Sequence, residues 1–176
     1  MIENPPHPLR RRAVVSALTA GLCLVLSAPS VHAQARELAG VRFEPTLTLS
    51  GSRLLLNGAG IRYKAFFKVY AAGLYLGSKA TTPAAVYAQT GPRRMHIVML
   101  REIDANELGK LFTKGMEQNA PKVEFSKSIN GVLRMSDIFS AKKKLTSGEY
   151  FYVDWVPGVG TQVVVNGQAQ GEAIMD

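Results

Sequence analysis

The sequence predicts an α+β fold built on an antiparallel sheet. Three observations predict it. Strand-like runs come first, two amphipathic helical stretches follow, and strand-like runs return before the end. Asn166-Gly167 closes the last of these runs with a two-residue hairpin signal. The 176 residues are 47% hydrophobic and 19% charged, which excludes a disordered chain and suits one domain.

Residues 1–33 carry the pattern of a signal peptide: Arg10, Arg11 and Arg12 precede an apolar run from Ala13 to about Ala28, and Val31-His32-Ala33 supplies the small residues of a cleavage site. The apolar run is shorter than the ~20 residues of a membrane span. Cleavage is expected after Ala33, delivering the chain to the periplasm with no transmembrane segment left. Residues 34–40 read as a flexible lead-in, and 41–176 as the folded domain.

Val41 to Ser50 alternates in part and reads as a strand. Leu54-Leu55-Leu56 is a second, stopped by the turn signal Asn57-Gly58. Ile61 to Leu76 is the most strand-like run. Period two puts Phe66, Lys68, Tyr70, Ala72 and Leu74 on one face and Phe67, Val69, Ala71, Gly73 and Tyr75 on the other. Both faces are largely apolar, so the strand is expected at the centre of the sheet. Thr82-Pro83 opens a short helix to about Gln89, with proline near its first position. Arg94 to Leu100 is a strand with Met95, Ile97 and Met99 on one side.

Asp104 with Glu107 three residues on forms a capping pair for a helix to about Asn119, whose buried stripe is Leu108, Leu111, Phe112, Gly115 and Met116. Pro121 begins a second helical stretch to about Phe139, with Asn130-Gly131 inside it as an alternative turn. Glu149 to Val156 and Thr161 to Val165 are strands around the turn Pro157-Gly158-Val159-Gly160.

Function classes narrow quickly. Cys23 is the one cysteine and lies in the expected leader, which excludes a disulfide framework and thiol chemistry. His7 and His32 fall there too, and His96 alone cannot build a multi-histidine metal site. No phosphate loop, nucleophile elbow or dinucleotide fingerprint is present, since Gly58-Ala59-Gly60 precedes a strand rather than a helix. No cofactor and no metal are expected. The net charge of +8 favours anionic ligands or surfaces, or simply solubilises; nucleic acid is a poor partner for an exported protein.

The residues of interest are Arg62, Lys68, Tyr70 and Tyr75. Arg62 at the entrance to the central strand can pair with a carboxylate or an enolate oxygen. Tyr70 puts a phenol among apolar groups. One cation and one phenol in an apolar pocket suit an amphipathic acid or a polyphenol. The alternative is that Arg62 and Lys68 snorkel from a strand end and Tyr70 is a core tyrosine bonded to the backbone.

Leu56-Asn57-Gly58-Ala59-Gly60-Ile61-Arg62, followed by Phe67-Lys68-Val69-Tyr70-Ala71-Ala72-Gly73-Leu74-Tyr75-Leu76, resembles the opening motif of chalcone isomerase-like proteins, closest to their bacterial exported branch. Arg101 to Asn119 is similar to that branch's first long helix with its lead-in, and Tyr152 to Thr161 with Asn166-Gly167 to its closing hairpin. The resemblance spans about residues 41–174. It implies an open-faced β-sandwich, a large antiparallel sheet with helices layered on one face. It also implies either cyclisation of chalcones or binding of a fatty acid, with Arg62 holding the ligand's anionic oxygen in both cases.

Departures from the family pattern weigh against catalysis. Tyr70 stands where the isomerases carry a threonine, and Thr113 is the nearest small hydroxyl in the region of their first-helix donors. The family's late C-terminal helix has no counterpart, so the domain reads as shortened there, with an unusually open pocket. The expectation is a binder of a small hydrophobic anion, with ligand-binding candidates Arg62, Lys68, Tyr70 and Thr113. An isomerase using Arg62 and Tyr70 is the alternative, and a structural or interaction protein the third.

Overall fold

A hairpin, a long meander and one helical excursion make up residues 35–175, which the computed structural model describes. The expected leader over 1–33, with Gln34 and Asp176, lies outside the described residues. The hairpin is β1 (Arg36–Leu38) against β2 (Val41–Phe43), turned at Ala39-Gly40, both of positive φ. Within its described part, 35–40, this corrects the reading of a flexible lead-in: Leu38 and Val41 pack on the core beside Phe43, so the strand is held by burial. Pro45, which has no N–H to give a ladder, then splits the single strand expected over 41–50. β3 (Thr46–Leu49) begins after it.

β4 runs over Ser52–Lys64 and β5 over Phe67–Leu76, joined by a tight turn at Ala65-Phe66. Two expectations are corrected here. The run 61–76 is a hairpin rather than one strand. Asn57-Gly58 is no turn: Leu56 pairs with Tyr75 and Gly58 with Leu74, which leaves Asn57 as the extra residue of a β-bulge. Its side-chain oxygen accepts the Ala80 N–H at 2.7 Å, so the bulge is anchored to the chain beyond β5.

After β5 comes α1 (Pro83–Tyr87), where the Thr82 hydroxyl accepts the Ala85 N–H at 3.2 Å as an N-cap, and then β6 (Arg93–Met99). Between β6 and the next long strand lie β7 (Ile103–Asp104), α2 (Ala105–Asn119), α3 (Lys122–Lys127), α4 (Ile129–Ser140) and β8 (Lys144–Leu145). The Asp104 carboxylate accepts the Glu107 N–H at 3.0 Å, as the capping pair implies. The helix expected over 121–139 is interrupted at Ser128, whose N–H goes to the carbonyls of Glu124 and Phe125; Asn130-Gly131 is helical. Gly109 admits Ser136 of α4 close against α2, and an added Cβ there would lie 3.3 Å from the Ser136 hydroxyl. β9 (Tyr150–Val156), β10 (Gly160–Val165) and β11 (Gln168–Ala169) complete the large sheet, with Asn166 and Gly167 both at positive φ in the last turn, as a two-residue hairpin requires.

The large sheet has the order β11-β10-β9-β6-β5-β4-β3, with every neighbour antiparallel. It is a sequential meander, broken once by the helices, and β5 is interior as expected. On the helix side, Ile97, Met99, Phe151 and Val163 pack under Leu108, Met135 and Phe139. On the other side, Phe43, Leu54, Leu56, Ala71 and Tyr75 form a second core. There the Phe43 ring sits so close to Gly73 that a Cβ would come within 2.7 Å of it. The architecture is the α+β fold that the sequence predicts and the open-faced sandwich that the resemblance implies.

The face away from the helices also carries a polar–aromatic row. Arg94 grips Asp154 with two bonds of 2.6 Å and lies 3.9 Å from the centre of the Tyr152 ring. His96 stacks edge-on between Phe43, Tyr150 and Tyr152. Burial of the ring, helped by the neighbouring Arg94 cation and opposed by Asp154, pushes the His96 pKa down to about 4 from 6.5. Folded protein therefore holds His96 neutral where unfolded chain takes up a proton, and stability falls as the pH drops from 6.5 towards 4. The loss between pH 7 and pH 5, above the usual carboxylate range, should be on the order of 1–2 kcal/mol after screening at a part-exposed ring. Urea midpoints at the two pH values should differ clearly for wild type and much less for His96→Phe; equal differences would remove His96 as the cause.

Candidate functional site

The sheet supplies the floor of an apolar cavity and α2 supplies its roof. The volume is about 450 Å3. Val69, Tyr70, Ile97 and Phe151 form the floor, and Leu108, Leu111, Phe112 and Met116 descend from the helix. Arg62, Tyr63 and Lys64, at the end of β4, form the polar rim. The amphipathic stripe of α2 explains the roof: the spacing that buries Leu108 also presents Leu111, Phe112 and Gly115 to the sheet.

A second β-bulge shapes the floor. Arg62 pairs with Tyr70 and Tyr63 with Lys68, so Val69 is the extra residue on β5. The bulge breaks the period of two, and Val69 and Tyr70, adjacent in sequence, both line the same cavity. Arg62 and Tyr70 sit directly across the ladder, where side chains share a face of the sheet. The structure therefore brings together the cation and the phenol singled out from the sequence.

The two rim cations differ in state. The Lys64 ammonium donates to the Glu107 carboxylate on the first turn of α2. Arg62 is exposed and makes no ion pair among the described residues. A guanidinium at the mouth of an apolar cavity with its donors uncommitted has the geometry to pair with a carboxylate or another planar oxyanion.

Lys68 and Thr113 are not brought to this site. Lys68 is exposed and lies off the cavity lining, because the bulge at Val69 cancels the alternation that placed it beside Tyr70. The Thr113 hydroxyl donates to the Gly109 carbonyl at 3.0 Å, within its own helix. Asn119 does line the cavity, but its amide donates to the Gly115 carbonyl at 2.7 Å. Tyr75 belongs to the opposite face, where its hydroxyl donates to the Glu44 carbonyl at 3.0 Å. Burial, with the nearby Glu44 carboxylate, raises the Tyr75 pKa to about 12, so Tyr75 rather than Tyr70 is the backbone-bonded core tyrosine. Sequence reasoning found the α2 stripe as core and missed its second role as cavity wall. The signal was Gly115, a small residue within an otherwise bulky apolar stripe.

Where the resemblance implied a pocket left open beyond the closing hairpin, the chain returns. Ile174 bridges to Thr161 and, with Phe112, Met116 and Met135, lines a smaller cavity of about 230 Å3. Among the described residues no three His, Cys, Asp or Glu side chains are grouped to hold a metal ion, and no helix is long and apolar enough to cross a membrane.

Comparison with known proteins places this geometry. A family model described as chalcone isomerase-like matches residues 35–175. No curated protein sequence matches significantly. Among solved structures, the crystal structure of an Arabidopsis thaliana fatty-acid binding protein superposes with a TM-score of 0.62 at 15% identity, covering 80% of this chain and 82% of that one. At that identity the likeness concerns the fold.

Gly115 gives the cavity a physical test. An added Cβ there meets nothing within 4 Å, because it points into empty space. Gly115→Ala removes backbone freedom from the unfolded chain and improves helix propensity without a clash, so stability should rise by about 0.5–1 kcal/mol. A chemical-denaturation midpoint lower than wild type would mean that the space is not there.

Proposed function

The chain belongs to the chalcone isomerase-like family, and from that membership and the shape of its site we propose that it binds a small hydrophobic anion, a fatty acid, without transforming it. Arg62 is the observation that carries this reading: its guanidinium stands uncommitted at the rim of an apolar cavity of about 450 Å3, within the size range of small-molecule sites. The acyl chain lies between α2 and the sheet against Leu111, Phe112, Ile97 and Phe151, and the carboxylate meets Arg62 with the Tyr70 phenol beside it. The solved fatty-acid binding protein of similar fold supports this choice of ligand.

Ring closure of a chalcone is the competing chemistry, and the donors weigh against it. It needs hydrogen bonds aimed at a carbonyl oxygen as that oxygen becomes an enolate. The hydroxyl of Thr113 and the amide of Asn119 are both committed to the backbone of α2. Tyr70 also brings a ring to the floor, where a substrate ring would have to lie.

Titration with dodecanoate tests the assignment. Arg62→Ala should weaken binding roughly 10- to 100-fold, the value of a charge-assisted hydrogen bond, while Lys122→Ala on the exposed face of α3 leaves it unchanged. Equal affinities for wild type and Arg62→Ala would exclude the anchor. In the same preparations 6′-hydroxychalcone should decay at the buffer rate. A wild-type rate far above that background, lost in Arg62→Ala, would replace the binder by an isomerase.

The reading includes action after export, supported by the arginine cluster, short apolar run and small-residue site of 1–33. N-terminal sequencing of protein recovered from the producing cell should start near Gln34; an intact Met1 in the cytoplasm would overturn the location.

A further inference from the structure

The turn between β4 and β5 exposes three aromatic rings together. Phe66 is 80% exposed, Tyr63 49% and Phe67 48%. Ala65 holds a left-handed backbone conformation, with φ at 51°, in the turn that sends Phe66 outward. The rings of Phe66 and Phe67 are 4.1 Å apart, and the Arg101 guanidinium lies 4.7 Å from the centre of Phe67. Four cations, Arg62, Lys64, Lys68 and Arg101, surround this tip.

The acids nearby are already engaged. Glu107 pairs with Lys64, Glu102 with Lys144 at 2.9 Å, and Asp104 caps α2. Arg62, Lys68 and Arg101 make no ion pair among the described residues. The tip is also continuous with the cavity, because Arg62, Tyr63 and Lys64 form the cavity rim.

We propose that this aromatic, cationic tip docks on an anionic phospholipid bilayer and sets the cavity mouth against the membrane surface. Phe and Tyr rings projecting from a rigid turn can enter the interface between headgroups and acyl chains, while the cations beside them meet lipid phosphates. A protein partner would explain the exposed rings, but the net positive charge around them, with Arg62, Lys68 and Arg101 outside any ion pair among the described residues, fits a phosphate-bearing surface. The docking surface stands whatever the cavity holds; transfer of an acyl ligand from the bilayer rests on the fatty-acid reading above.

Flotation with phosphatidylglycerol–phosphatidylcholine vesicles tests it. Wild type should bind these vesicles, bind pure phosphatidylcholine much more weakly, and lose binding as salt rises. Phe66→Ser should weaken binding about tenfold or more, and Lys68→Ala about fivefold. Tyr87→Ser, which removes an equally exposed ring beyond the other end of β5, should leave it unchanged. Phe66 is exposed enough for its replacement to spare the fold, which a matched melting curve checks. Absence of wild-type binding, or equal binding by Phe66→Ser, overturns the proposal. So does self-association without vesicles that Phe66→Ser abolishes, which would make the tip a protein contact. Dodecanoate affinity in vesicle-free buffer should be the same for wild type and Phe66→Ser. If dodecanoate binding is absent while flotation persists, the ligand reading falls and the docking surface remains.

Discussion

The Phe43 ring lies against Gly73 in the middle of β5, with no room for even one more carbon between them. That contact closes the face of the sheet away from the helices and joins the N-terminal hairpin to its interior. With β4 and β6 on its edges and cover on both faces, β5 can carry no charge along its middle, and it does not: Ala71, Ala72, Gly73 and Leu74 are small or apolar. Charge appears at the end near the turn, where Arg62, Lys64 and Lys68 gather. Interior space is left on the helix side, between the floor residues and α2. A tight contact on one face and a cavity on the other are two results of burying the same strand twice.

The two faces treat their arginines differently. Arg94 is locked in a two-pronged grip by a buried Asp154 and stacked on Tyr152, so its charge is used up in holding β6 to β9. Removing one member of such a pair leaves a buried charge without compensation, commonly costing about 3–5 kcal/mol. Arg62 has no such commitment and faces solvent at the cavity mouth. The same residue type serves cohesion in one place and stands uncommitted at a cavity mouth in the other, and the position of the nearest carboxylate decides which.

Much of this was legible in the sequence because local chemistry decided it. Asp104 caps α2, Thr82 and Pro83 open α1, and Asn166-Gly167 turns the last hairpin. In each case the deciding contacts lie within a few residues. The same dipeptide at Asn57-Gly58 misled, since whether it turns the chain or bulges it depends on β5 continuing alongside. Arg62 and Tyr70 were recognisable as a pair, and the cross-strand register joins them. Lys68 was assigned to their face by strict alternation, which the extra residue Val69 suspends. Thr113 could not be judged without knowing that its hydroxyl turns back to Gly109. The strand over 36–38 and its pairing with 41–43 escaped notice because β1 is three residues long and its order depends on packing beside Phe43.

The strands β6 and β9 are hydrogen-bonded neighbours, yet the chain between them holds α2, α3 and α4, and the two-residue ladder of β7 and β8 staples its ends together. The helices over the cavity thus arrive as one insertion that leaves and rejoins the meander at adjacent points. None of its elements is a strand of the large sheet. A change in the floor, by contrast, is felt through two ladders at once. The helical cover is thus separable from the sheet in topology but not in packing, because Leu108, Met135 and Phe139 share one buried core with Ile97, Met99 and Phe151.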